Sequence, residues 1–264
     1  MNTIPSSNLI CDDFHTVLSE LEFHNLIHAQ LGITTIHGAV IQYQENFLDV
    51  TTHLLHPEEI QRGNGAKSLK RRAEFLAGRC LARCLLGQTQ ESGCIPVLSD
   101  PIGRPLWPSS ISASLSHTSP RLICFAHTSE IENYRIGCDI QAIRHLELPL
   151  KKRILAPTES LDPLERKGLF HPLLRLFSAK EAVYKAISLE LGEVGFHPRR
   201  ISLHYREDGI FEATKVYENS LPYVRISVIS EEISYNMTEN HNNSSNNTSG
   251  NGTFILSLAV VQKK

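Results

Sequence analysis

The sequence predicts a mixed α/β chain of the α+β kind, folded in two lobes. Three observations carry that reading. The chain has 264 residues, 41% of them hydrophobic, enough for one large core or two small ones and near the length at which single cores split. Segments that alternate apolar and polar side chains, as strands do, recur in both halves. Each half also holds one long helical stretch carrying basic residues, a hint of a duplicated unit.

Taken in order, residues 36–41 and 47–50 are short apolar runs that read as strands. Residues 71–86 form a helix with Leu76, Cys80 and Leu85 on its inner side and Gly87 as a stop. On it Arg72, Arg79 and Arg83 fall seven and four apart, a basic stripe. A turn at Asp100-Pro101-Ile102-Gly103 leads to residues 110–116, where Ile111, Ala113 and Leu115 alternate with Ser112, Ser114 and Ser116 in a half-buried strand ending at His117. Residues 121–126 and 136–140 are further strands, read as a hairpin through 129–134. A second helix covers 178–190 and stops at Gly192, and residues 201–205, 224–229 and 254–261 close the chain as strands. Between the last two, 238–252 is an Asn- and Ser-rich run too polar to bury anything, a flexible excursion joining paired strands.

Bulk properties exclude several classes. A net charge of −2 argues against a general nucleic-acid binder, which needs a broad basic surface. The N-terminus has no basic run followed by an apolar one, and no stretch approaches the roughly 20 apolar residues of a membrane span, so a soluble, cytoplasmic protein is expected. The six cysteines, Cys11, Cys80, Cys84, Cys94, Cys124 and Cys138, include no Cys-x-x-Cys pair and read as buried thiols. The Asn-x-Ser/Thr triplets from Asn236 to Asn251 follow simply from the Asn-rich run.

Two segments carry the chemistry. In Ile136-Gly137-Cys138-Asp139-Ile140-Gln141 the alternation puts Gly137, Asp139 and Gln141 on one face and the apolar residues on the other. About forty residues on, Phe177-Ser178-Ala179-Lys180-Glu181-Ala182-Val183-Tyr184-Lys185 reads as a helix with Glu181 and Lys185 one turn apart and Lys180 beside them. Two carboxylates suit a hard cation and two ammonium groups suit phosphate, so the pair points to magnesium-dependent handling of a polyphosphate. Plainer readings stand beside this one. Asp139 suits a turn or a salt bridge at a strand end, His117 a strand cap, and a basic stripe is often a solvated face. Ser178-x-x-Glu181 is a capping-box pattern, and a helix start there would also suit phosphate. Ser116 and Ser178 lie in no Gly-x-Ser-x-Gly elbow, which argues against a serine nucleophile.

Hydrophobic-Gly-x-Asp followed by aromatic-Ser-x-Lys-Glu-Ala-x-x-Lys resembles the signature of the phosphopantetheinyl transferases of the surfactin type. Leu55-His56-Pro57-Glu58-Glu59, the run from Lys70 to Arg79, Gly103-Arg104-Pro105-Leu106-Trp107-Pro108 and Ser114-Leu115-Ser116-His117 occur in the order that family shows. The basic run ending in Ala-Gly-Arg and the Gly-Arg-Pro-x-Trp-Pro element are most similar to the branch containing enterobactin synthase component D. The resemblance implies a pseudo-twofold, two-lobed fold, each lobe a small sheet packed with a long helix. Residues 1–135 would form the lobe that holds the nucleotide end of coenzyme A, and residues 136–264 the lobe with the metal site and catalytic helix.

The activity the resemblance implies is transfer of the 4′-phosphopantetheine arm of coenzyme A to a serine of an acyl or peptidyl carrier protein. Adenosine 3′,5′-bisphosphate would leave, magnesium would serve as cofactor, and siderophore or other nonribosomal peptide synthesis would be the setting. By position it puts the metal on Asp139, Gln141 and Glu181, and catalysis on Glu181 and Lys185. Coenzyme A falls to Lys70, Arg72, Arg79, Arg104, Ser114, Ser116, His117, Lys180 and Lys185. Many members have Glu where Gln141 stands, and a neutral amide brings a cation no charge. A monomer with internal pseudo-symmetry is expected. The rival readings are a magnesium-dependent coenzyme A or nucleotide pyrophosphatase, and a non-catalytic module that binds coenzyme A or a carrier.

Overall fold

The structure is a computed structural model and describes residues 36–42, 55–86, 95–119, 121–128, 134–144, 146, 148–217, 223–235 and 252–263. Two antiparallel sheets organise it. Strands β1 (Ile36–Gln42), β2 (Ile111–Thr118) and β3 (Arg121–Thr128) form a sheet ordered β1-β3-β2. Strands β4 (Tyr134–Ala142), β5 (Ile201–Tyr205), β6 (Phe211–Val216), β7 (Tyr223–Tyr235) and β8 (Gly252–Lys263) form a second, ordered β4-β8-β7-β6-β5. The helices are α1 (Pro57–Asn64), α2 (Leu69–Leu86), α3 (Leu148–Ile154), α4 (Asp162–Arg166) and α5 (Pro172–Ile187), with a 3-10 turn at Pro198–Arg200.

Alternation along the strands sorts the side chains into layers. Ala39, Ile41, Leu122 and Cys124 cluster with Leu76, Ala77 and Cys80 of α2. The opposite face of that sheet, with Val40, Ile123 and Phe125, meets Ile136, Cys138 and Ile140 of β4 and Leu256 and Leu258 of β8. On the far face of the larger sheet, Val228, Ala259 and Val261 pack under Ala182, Val183 and Ala186 of α5. The order is therefore helix, sheet, sheet, helix, and each sheet carries one long helix as expected. Gly137 makes the last layer tight: a Cβ there would stand 2.0 Å from the carbonyl oxygen of Ala182. The absence of a side chain lets α5 lie directly on β4.

Four expectations need correction. β3 and β4 are not a hairpin: β3 has β1 and β2 as its two neighbours, and β4 pairs with β8, in the other sheet. The serine face of β2 is not solvated. Ser112, Ser114 and Ser116 are buried, and their hydroxyls accept the N–H groups of Ile136, Cys138 and Ile140 at 2.9, 2.9 and 3.3 Å, so they stitch the smaller sheet to the outer edge of β4. α5 starts at Pro172, so Ser178 and Glu181 lie in its interior and neither the capping-box reading nor a phosphate site at a helix start holds. Proline at the first turn is the true start signal. The stripe of Arg72, Arg79 and Arg83 is broken as well, because Arg83 is buried against Glu59, with Nε 2.7 Å from Oε2.

β7 and β8 pair along their length, Tyr235 opposite Gly252. The run between them, the predicted strand at 47–50, and Cys11 and Cys94 lie outside the described residues. Cys80, Cys124 and Cys138 are buried, as expected. Among the described residues no helix is long and apolar enough to cross a membrane.

Candidate active site

A cleft of about 1150 Å³ opens between the two halves, lined by one face of α2, the turn around residues 98–109, β2, β4 and the second half of α5. On its wall the two chemistry-bearing segments meet. Asp139, 2% exposed, accepts hydrogen bonds at Oδ1 from Ser116 Oγ (3.0 Å) and Lys185 Nζ (2.9 Å), and at Oδ2 from Gln141 Nε2 (2.8 Å). Lys185 also donates to Ser116 Oγ at 2.8 Å and stands 4.0 Å from Glu181 Oε2. Ser116 thus donates once and accepts twice, from Lys185 and from Ile140 N–H, which fills its capacity.

The electrostatics follow from crowding. Burial pushes Glu181 up, and the charge on Asp139 adds to it, so the carboxyl is raised to about 7. Burial would raise Asp139 too, but Lys185 outweighs it and holds the carboxyl below its ordinary range. Burial disfavours the charged form of Lys185, and Asp139 reverses the sign, so its pKa is raised. Two carboxylates compete for one ammonium, the condition a second cation relieves. The donor set is of hard oxygens: Asp139, Glu181 and the Gln141 amide. Among the described residues no three His, Cys, Asp or Glu side chains gather as a metal site, in keeping with an amide at 141.

The remaining predicted contacts divide. His117, Arg79, Arg104, Ser114 and Ser116 line the cleft; Lys70, Arg72 and Lys180 do not. Lys180 is fully buried and donates to Ile154 O (2.7 Å), Glu159 Oε2 (2.5 Å) and Pro198 O (3.0 Å), so its three donors are spent on packing. Adjacent helix residues point about 100° apart, which is how Lys180 misses a site that Glu181 reaches. Arg104 bonds Asp100 Oδ2 through Nε (2.5 Å) and the carbonyls of Ser188 and Gly192 (2.7 Å to the latter), clamping the turn onto the C-terminal end of α5. Arg79 donates to Val97 O and Ser99 Oγ.

Sequence reasoning missed Arg71 and Glu74. They face the cleft with Phe75, Gly78 and Arg79, a stripe at helical spacing that was legible in the run. Glu74 Oε2 lies 3.1 Å from Arg71 Nη1 and 3.5 Å from His117 Nε2. Burial lowers the His117 imidazole, with Glu74 opposing. Arg144, whose charge acts on Glu181, was also missed.

A helix-flanked pair of sheets, with Asp139 on a strand facing Glu181 and Lys185 on a helix across an interlobe cleft, defines a class, and the chain belongs to it: the 4′-phosphopantetheinyl transferase superfamily. The family model of the N-terminal domain matches residues 64–127 and that of the superfamily residues 135–238. Among individual proteins the chain is similar to enterobactin synthase component D of Salmonella austin, 33% identical over 135 residues, and of Salmonella typhi, 35% identical over 137. Each match covers 50% of this chain and 55% of the relative, so the chain spans about half the length of the curated relatives it matches.

Proposed function

We propose that this chain transfers the 4′-phosphopantetheine arm of coenzyme A to a serine hydroxyl of an acyl or peptidyl carrier protein. The observation that carries the proposal is the convergence of Asp139, Glu181 and Lys185 on the wall of a cleft of about 1150 Å³. The serine oxygen forms a bond to the phosphorus bearing pantetheine, the pyrophosphate P–O bond breaks, and adenosine 3′,5′-bisphosphate leaves. Glu181, directly or through water, takes the serine proton. Lys185 carries positive charge toward the phosphates as negative charge builds on the leaving group. His117, Arg71 and Arg79 line the part of the cleft that would take the nucleotide end. Asp139, Glu181 and the Gln141 oxygen would hold magnesium, which when bound neutralises pyrophosphate charge. The relatives' name, enterobactin synthase component D, supports a carrier of a siderophore or other nonribosomal peptide pathway.

The test is mass spectrometry of apo carrier proteins incubated with the protein, coenzyme A and magnesium. The mass of the added arm is expected, and it should be absent without magnesium. Coenzyme A cleavage that runs equally well without any carrier would replace transfer with pyrophosphate hydrolysis.

A further inference from the structure

Away from the cleft, the fold gathers positive charge where nothing described neutralises it. The last turn of α3 carries Lys151, Lys152 and Arg153, and the 3-10 turn adds Arg199 and Arg200, preceded by His197. Lys152, Arg153, His197 and Arg199 are exposed and, with Pro198, surround a shallow pocket of about 180 Å³. Basic groups at a helix C-terminus favour its dipole by themselves, but that does not account for Arg199 and His197, which come from another element. The two segments are held together from below. Lys180 donates to Ile154 O, at the end of α3, and to Pro198 O, in the 3-10 turn, so a buried ammonium fastens one cationic segment to the other. The carboxylate beneath, Glu159, is occupied by Lys180 and by the N–H groups of Ala156 and Leu203. Among the described residues Lys152, Arg153 and Arg199 form no ion pair. Like charges assembled without counter-charge repel, which is offset when an anionic partner covers them.

We infer that this patch docks an acidic surface of the protein substrate. The pocket, at about 180 Å³, is too small for a nucleotide, and its charges spread over two segments suit several carboxylates in a row rather than one phosphate. Lys180 and Glu181 are neighbours on α5, so a protein that presents a serine to Glu181 has the patch one helix flank away. The inference rests on the proposed transfer for the identity of the partner, not for the charge of the surface.

The test uses the full chain and an apo peptidyl carrier protein. Lys152→Glu, Arg153→Glu and Arg199→Glu together should raise the carrier KM about tenfold or more, with the coenzyme A KM and kcat unchanged. The corresponding glutamine variants should give a smaller rise in the same direction if charge is the cause. Carrier binding measured by calorimetry needs no turnover: the parent should lose affinity between roughly 50 and 300 mM salt, and the reversed variant should show little salt dependence. An unchanged carrier KM and an unchanged salt dependence would overturn the docking surface. Binding that follows these charges without transfer of the arm would leave it standing and remove only the reaction.

Discussion

Lys180 and Lys185 stand five residues apart on one helix, and they do different work. Lys180 is sealed in, with two backbone carbonyls and the buried Glu159 as partners. Lys185 is 28% exposed at the cleft and divides its charge between Asp139 and Glu181. The first has no partner it can release without exposing a buried charge. The second has two carboxylates competing for it and an open side through which phosphate can arrive. A lysine in a motif becomes structural or functional according to whether its partners are exchangeable, and the helix phase decides that.

Substitution at each lysine separates the two roles. Lys180→Met leaves Glu159 buried without its cation and should cost roughly 3–5 kcal/mol, read as a lower urea midpoint; a shift under a quarter of that would contradict the structural assignment. Lys185→Met, Asp139→Ala and Glu181→Ala should each lower kcat/KM for transfer about a hundredfold or more. The urea midpoint of Glu181→Ala should stay nearer the parent's than that of Lys180→Met, whereas Lys185→Met also leaves the buried Asp139 without its cation and should lower the midpoint as well. A transfer rate close to normal in any of the three would remove that residue from the site.

Gly137→Ala tests the contact that brings the Lys185 side of α5 to Asp139. Overpacking against the Ala182 carbonyl should cost about 1–3 kcal/mol and reduce transfer as well, because Glu181 and Lys185 move with the helix; full activity would show that the spacing tolerates a methyl group. Gln141→Glu adds a third carboxylate beside Lys185 and a charged oxygen for a cation, and should lower the magnesium concentration for half-maximal rate. An unchanged requirement would place residue 141 outside the coordination sphere.

The smallest effect concerns pH and the Asp100–Arg104 clamp. Burial would raise the Asp100 carboxyl, but the bonds and charge of Arg104 prevail and hold it below its ordinary value. A depressed carboxylate contributes stability that is present above the unfolded pKa, about 3.9, and is lost as pH falls through the folded one. Asp100→Asn should therefore melt below the parent at neutral pH, and the gap should close in acid. A gap that persists at the lowest pH would trace to lost geometry rather than lost charge.

Much of this was legible in the sequence. Asp139 and Gln141 sit on the face that alternation assigned, opposite Ile136, Cys138 and Ile140, because a strand on a helix buries both faces without scrambling its period. The spacing of Glu181 and Lys185 survives a misplaced helix start, since the period of 3.6 does not depend on where the helix begins. What failed was choice among adjacent cations. Lys70, Arg71 and Arg72 are consecutive, and only Arg71 shares the cleft-facing stripe with Phe75 and Gly78. The β3–β4 hairpin failed because proximity along the chain competed with a long-range partner, β8, that no local pattern announces. The serines of β2 read as solvent-facing because nothing local reveals that a second sheet will cover them.

Those three serine hydroxyls also bear on solubility. The outermost strand of an open sheet normally offers a row of free amide groups to any other chain. Here alternate amides of β4 are already taken by Ser112, Ser114 and Ser116. The side-chain stitching that positions Asp139 thus doubles as a guard against self-association, and a loosened lobe contact would expose a template for aggregation at the strand that carries the chemistry.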